Sequence, residues 1–316
     1  MTEVLSFLQS LADSGRKVNT IKGYITAIAH RHALFSQGSS QLKLSDLDVV
    51  QTWVRGLTLL HPEPRIRVPE WNLDVVLSAL KKPPFYPLKD ASLKHLTLRT
   101  AFLLALTSAR RASEVHALRV DTMVWKADAV YAYTDERFLA KVHTQWHADQ
   151  AIVFPALYGE KDQELRKLCV RTQLKHYVNR TLLLRQHKGA STQLLLCYGG
   201  KEKGQPVSVQ RISNWLKLTV QLAYQSFELP LPQVKGHQVR KQATSWADLA
   251  GVSPEDICRA ATWRSSNVFA RHYKLRLKDV DTRLSHRVLQ LSASSAAERA
   301  VKRRLATPVV PSKGSQ

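Results

Sequence analysis

Four side chains capable of chemistry lie close together in Gly236–Tyr273: the imidazole of His237, the guanidinium of Arg240, the indole of Trp263 and the phenol of Tyr273. A guanidinium is planar, permanently charged and matched to phosphate oxygens. An imidazole can accept a proton or hold an oxygen, and an indole N–H can donate. A phenol, with an ordinary pKa of about 10, becomes a nucleophile only where cations and a proton acceptor surround it. As a set these groups suit a phosphodiester, on whose non-bridging oxygens negative charge grows as a nucleophile approaches. Taken singly, each has a plainer reading, Tyr273 as a core residue following Phe269 and His237 as a helix cap.

The elements that must position them are legible in the same stretch. Helical spacing puts His237 and Arg240 on one face, free to act, while Val239, Ala243, Trp246 and Ala250 form a separate apolar stripe. That helix should stop near Gly251. Ser253 can cap the next, with Pro254 at its first position and Glu255 and Asp256 in its first turn. Ser265 or Ser266 can cap a third, carrying Phe269 and Tyr273 one turn apart. Upstream, LTSARRASEVHAL places Arg111 three residues before Glu114, so the carboxylate can orient the guanidinium along one helix face; Arg110 is the alternative. A helix opened by Ser92, from Leu93 to about Leu106 and apolar nearly all round at its end, delivers this segment.

The remaining chain supplies scaffold. Helices are predicted from Thr2 to Gly15, from Asn19 through Ile28 and His32, and from Ser45 through Trp53 to Gly56, the last opened by Ser45 and Asp48. Lys17, Lys22, His30, Arg31 and Lys43 lie between their apolar positions. HPEPRIRVPE, with three prolines, reads as a linker in which Arg65 and Arg67 can reach phosphate. Asn72 caps a helix through Leu80. Short runs at Met123–Trp125, Val130–Tyr133 and Ala151–Phe154 predict a small antiparallel sheet. A helix is expected from Glu164 to about Leu184, a buried strand at Leu194–Tyr198, and a helix capped by Ser208 with Ile212, Trp215, Leu216 and Val220 inward. Beyond Tyr273, Leu277 to Leu291 outline an amphipathic helix, and the ending holds the basic triplet Lys302-Arg303-Arg304. The expected organisation is a helical domain over residues 1–60, a linker over 61–71, a larger α+β domain over 72–292 and a basic tail over 293–316.

Composition points to the partner. The chain of 316 residues carries 47 Lys and Arg against 25 Asp and Glu, a formal charge of +22. Such a charge repels itself unless a polyanion neutralises it, which favours nucleic acid. No run approaches the roughly 18 to 20 apolar residues of a membrane span, and neither a signal peptide nor a lipidation motif is expected at the start. Cys169, Cys197 and Cys258 are scattered, which argues against disulfides or a zinc site. His143 and His147 flank Trp146 without a third ligand, so they read as loop histidines rather than metal ligands.

His-x-x-Arg at 237–240, an aromatic at Trp263 and a tyrosine at Tyr273, preceded by Arg111 and Glu114, resemble the ordered boxes of the tyrosine recombinases, or phage integrase family. The wording TSARRASEVHAL, HQVRKQATSWA, EDICRAATW and FARHY is similar to the branch carried by DIRS-like retrotransposons. The resemblance implies a fold that is mainly α with a small antiparallel sheet, in which residues 1–60 clamp the far side of a duplex and the larger domain is catalytic. It implies that Arg111 and Arg240 clamp the scissile phosphate with Glu114 in support, that Tyr273 attacks to form a 3′-phosphotyrosyl link, and that His237 takes its proton or holds an oxygen. A general-acid lysine belongs on the hairpin between the second and third strands, where Lys141 stands, with Lys126 and Arg137 as alternatives. Trp263, one residue further from the tyrosine than the family's common spacing, donates to phosphate or packs the tyrosine helix. Neither cofactor nor metal is required. Double-stranded DNA, a dimer on each site, a tetramer exchanging C-terminal segments and a nuclear location follow from the same resemblance. A type IB topoisomerase and a catalytically silent DNA-binding derivative of a mobile element are the other readings.

Overall fold

The computed structural model describes residues 2–35, 44–62, 69–139, 151–157, 159–186 and 190–275. The chain divides into two units, residues 1–66 and 67–316, a boundary within 61–71.

The first unit holds α1 (Thr2–Asp13), α2 (Val18–Phe35) and α3 (Asp48–Leu60). Leu8, Val18, Ile21, Ile25, Val50 and Leu57 form its core, flanked by Leu5, Leu11, Ile28 and Trp53. The Trp53 indole donates to the Gln9 side chain at 3.0 Å, tying α3 to α1. Two details differ from expectation. A 3₁₀ turn over Leu44–Asp46 precedes α3, whose N-cap is Leu47, because the Ser45 hydroxyl donates to the adjacent Asp46 carboxylate instead of capping. The helix also runs past Gly56 to Leu60, since one interior glycine costs only about 1 kcal/mol against alanine and Leu57 is buried beyond it.

The second unit is mainly helical with a small sheet. Its helices are α4 (Leu73–Leu80), α5 (Leu93–Ser108), α6 (Ala112–His116), α7 (Gln163–Lys167), α8 (Val170–Arg180), α9 (Val209–Gln225), α10 (Gln238–Leu249), α11 (Pro254–Ala260) and α12 (Ser266–Val268), the last continuing as a π turn through Phe269–Tyr273. Strands β1 (Val124–Trp125), β2 (Ala129–Ala132) and β3 (Ile152–Pro155) form an antiparallel sheet in that order, with Val130 opposite both Trp125 and Phe154. The α+β class expected from the sequence is the class observed.

Helix α5 is the axis of this unit and packs against α8, α9 and α10. Leu96, Leu98, Ala101, Phe102, Leu103 and Leu104 are all buried. Thr97, Arg99, Thr100 and Ser108 are buried too, and the three hydroxyls return their protons to carbonyls one turn back. The expected caps form on α4, α5, α9 and α11, where Asn72, Ser92, Ser208 and Ser253 accept backbone N–H bonds.

Two predicted elements are replaced. The helix expected over 164–184 is α7, α8 and a 3₁₀ turn over Leu182–Arg185. It breaks at Leu168–Cys169, where the Arg99 guanidinium from α5 takes the Lys167 carbonyl. Leu194–Tyr198 is buried but makes only isolated bridges, because its neighbours are turns and loops: Leu194 N–H donates to Leu118, Leu196 N–H to the Tyr177 hydroxyl, and Cys197 N–H to Gln205. Among the described residues the three cysteines are free and buried, no group of three metal-ligating side chains occurs, and no helix is long and apolar enough to cross a membrane. The predicted helix Leu277–Leu291, the basic tail, Arg65 and Arg67 lie outside the described residues.

Candidate active site

The site begins where α5 ends. Ala109 takes a left-handed conformation, φ +52, which stops the helix and turns the chain. Arg111 is therefore the N-cap of α6 rather than a residue on a helix face, a correction to the expected geometry. Its backbone N–H donates to the Glu114 carboxylate at 2.6 Å, and its guanidinium lies 3.5 Å from the same carboxylate. With 24% of its side chain exposed, Arg111 keeps access to solvent. Arg110 is almost fully buried, 3.9 Å from Glu114, and burial lowers its pKa.

Glu114 is 2% exposed and joins distant parts of the chain. Besides Arg111 it receives the Arg240 guanidinium at 3.5 Å and the Thr262 hydroxyl at 2.8 Å. Arg240 was expected on a free helix face; it is instead 3% exposed. Helix α10 is enclosed on several sides, with Gln238, Gln242, Thr244 and Ser245 also buried and the Gln242 amide donating to the Trp71 carbonyl at 2.6 Å. One Arg240 amino group donates to the Ala261 carbonyl, while Nε has no hydrogen-bond partner among the described residues. Burial first, then the nearby Arg111 charge, lowers the Arg240 pKa to about 10. An arginine at that value stays cationic at neutral pH, and it carries an unmet donor.

His237 stands at the start of α10 and is exposed. Partial burial, then Lys241 and Lys235, push its pKa below the ordinary imidazole value. Its approach is fixed by Gly236, where an added Cβ would lie 3.0 Å from the Ser213 carbonyl of α9. Only glycine lets the chain pass that backbone undisturbed.

Trp263 and Tyr273 close the site. Trp263 is buried in a satellite core with Ala109, Ile257, Cys258, Ala261 and Phe269. Its ring stacks on Phe269, centroids 5.9 Å apart, and meets the Tyr273 ring at 4.3 Å. The Arg240 guanidinium lies 4.8 Å from the Trp263 ring and 5.6 Å from the Tyr273 ring. The Tyr273 backbone is held as well: the Ser245 hydroxyl donates to its carbonyl at 3.0 Å and accepts the Leu275 N–H at 2.8 Å.

The structure thus brings Arg111, Glu114, Arg240, Trp263 and Tyr273 into one cluster and leaves His237 exposed at the start of α10. Lys141, with His143 and His147, lies outside the described residues. Of its alternatives, Lys126 sits over the Tyr131 ring at 4.6 Å, and the Arg137 N–H donates to Asp135. Sequence reasoning missed Thr262 and Ser245. Neither stands at a spacing that signals chemistry, since each acts across more than two dozen residues of chain. Chemically, two guanidiniums share one carboxylate and retain free donors beside a phenol, an arrangement able to hold an oxyanion such as phosphate.

No protein-family model and no curated protein sequence matches the chain. Solved structures do. The chain is similar to the Tn1549 transposon integrase in complex with transposon right end DNA, at 14% identity, over 92% of this chain and 85% of that one, with a TM-score of 0.56. It is similar to a lambda integrase dimer bound to a COC′ core site at 12% identity, covering 89% and 81% of the two chains, TM-score 0.51. A lambda integrase tetramer bound to a Holliday junction matches at 12% identity over 89% of this chain and 66% of that one, again with a TM-score of 0.51. The fold is that of the tyrosine recombinases.

Proposed function

We propose that the chain is a tyrosine-type DNA recombinase that cuts and rejoins strands by transesterification. The observation that carries this reading is the pairing of Arg111 and Arg240 on Glu114 with the Tyr273 ring 5.6 Å from the Arg240 guanidinium. In this scheme the two guanidiniums bind the non-bridging oxygens of one phosphodiester. The Tyr273 oxygen attacks phosphorus, its proton passing to His237, while the bond from phosphorus to the 5′ oxygen breaks. Lys141 protonates that departing oxygen. A 5′-hydroxyl from a partner strand then attacks the 3′-phosphotyrosyl bond and releases the phenol. Each step exchanges one ester for another, so bond energy is conserved and the scheme requires neither metal nor nucleotide cofactor.

Several further assignments belong to the same reading. The +22 charge supports double-stranded DNA as partner. Residues 1–60 would clamp the far side of the duplex, and residues 72–292 would carry the chemistry. The neighbours bound to a core site as a dimer and to a Holliday junction as a tetramer support self-association during strand exchange. The motif wording supports a DIRS-like mobile element as origin, with action in the host nucleus.

The test uses nicked duplexes, which trap the covalent intermediate, carrying either end of the encoding element or a randomised pool. A denaturant-resistant protein–DNA adduct is expected from the unaltered chain, and none from Tyr273→Phe, whose DNA binding stays nearly intact. Adducts persisting in Tyr273→Phe mean another nucleophile. Relaxation of supercoils without exchange between two labelled duplexes favours the topoisomerase reading, and binding without any adduct favours the silent DNA-binding one.

A further inference from the structure

Thr262 occupies a conformation that its side chain disfavours. Its φ is +52, in the left-handed region where a β-branched residue is an outlier, and it is 1% exposed. Such backbone persists only where its surroundings over-determine it, and it gathers at functional sites. Glycine would hold the same φ without steric conflict but would bring no hydroxyl.

The hydroxyl is what the site uses. It donates to Glu114 Oε1 at 2.8 Å and accepts from Arg111 Nη1 at 3.4 Å. Its own neighbour, the Ala261 carbonyl at 2.7 Å, is the competing acceptor, but that oxygen already takes the Arg240 guanidinium and the ionised carboxylate is the stronger partner. The turn Ala261–Thr262 therefore touches both guanidiniums and the carboxylate between them. With Oε1 occupied by Thr262, Arg111 stands 3.5 Å from the carboxylate, longer than a contact ion pair of about 2.8 Å. Glu114 thus orients the Arg111 guanidinium through one long contact at Nη1.

We infer that Thr262 is a positioning residue that keeps Arg111 from collapsing onto Glu114 and so holds its donors ready for an anion, a phosphate in the strand-transfer reading on which this inference builds. Removing the hydroxyl lets the guanidinium close on the freed carboxylate oxygen.

The experiment compares the 316-residue chain with T262S, which keeps the hydroxyl, T262V, which keeps the shape, and T262G, which relieves the backbone strain that T262V retains. Phenylglyoxal modification of Arg111, followed by peptide mass spectrometry, reads donor availability without any DNA. The rate is expected to fall at least threefold in T262V and T262G and to stay within twofold in T262S. Adduct formation on the nicked duplexes should fall at least tenfold in the same two variants, with DNA affinity unchanged, and recover in T262S. Arg111 labelling within twofold of the unaltered chain, or faster, in both T262V and T262G overturns the inference. Slower labelling in a chain that yields no adduct at all upholds the positioning role and removes the strand-transfer reading.

Discussion

Two of the buried arginines in the second unit, Arg99 and Arg240, are held in two different ways. Arg99, on α5, is 0% exposed, and burial lowers its pKa to about 10, the value Arg240 also reaches. Every nitrogen of Arg99 has a partner: Nε donates to the Leu80 carbonyl at 3.0 Å, and its two amino groups to the Gln173 side chain and the Lys167 carbonyl. Gln173 is itself held by Leu96 and Thr100. Arg240 has one short bond to Ala261, a stretched pairing with Glu114 and an Nε without a partner among the described residues. Burial and pKa are alike, so neither distinguishes scaffold from site. Donor satisfaction does, because an unmet charged donor is costly in folding and useful only to something that binds.

That contrast can be broken by experiment. Arg240→Ala should slow adduct formation by roughly a hundred- to a thousandfold, the loss of about 3 to 4 kcal/mol of transition-state stabilisation, at a smaller cost in stability than that of losing Arg99. Arg99→Met should do the reverse, removing about 3 kcal/mol of stability by orphaning buried carbonyls while single-turnover adduct rates on folded protein stay unchanged. If Arg99→Met lost chemistry as severely as Arg240→Ala, the division between the two arginines would fail. Glu114→Gln, which weakens the hold on both site arginines, should cost on the order of tenfold in adduct rate, read with DNA affinity held constant.

A smaller effect comes from pH. The His237 pKa lies below its ordinary value, so the imidazole stays neutral to lower pH than a free one, and adduct formation should decline only below about pH 6.5. The unfolded chain takes up that proton first, so stability also weakens as pH falls through the same window. A pH–rate profile of His237→Asn lacking the acid limb would identify the group. Smallest of all, Asn72→Ala should cost about 1 kcal/mol through the lost cap of α4, measured by denaturant titration.

What the sequence made legible was local. Ser92, Ser208 and Ser253 announced their helices because a cap is read within four residues, and α5 showed itself buried by being apolar nearly all round at its end. The site types were legible for the same reason, since guanidinium, imidazole and phenol carry their chemistry in their names. Their placement was not. Arg111 caps α6 because Ala109 turns left-handed, and nothing in TSARRASEV marks an alanine for that conformation. Arg240 is buried where Glu114, Ala261 and Trp263, from other parts of the chain, meet it. The break before α8 depends on Arg99 reaching across from α5, a tertiary contact that overrides continuous helical patterning.

Ser245 makes two bonds from α10, one to the carbonyl of Tyr273 and one from the amide of Leu275, and with them the phenol is moored to the very helix that carries Arg240. In the strand-transfer reading, guanidinium and attacking phenol would therefore come from the same copy of the chain. A mixture of copies, half lacking the guanidinium and half lacking the hydroxyl, would then contain no intact pair and should form no adduct.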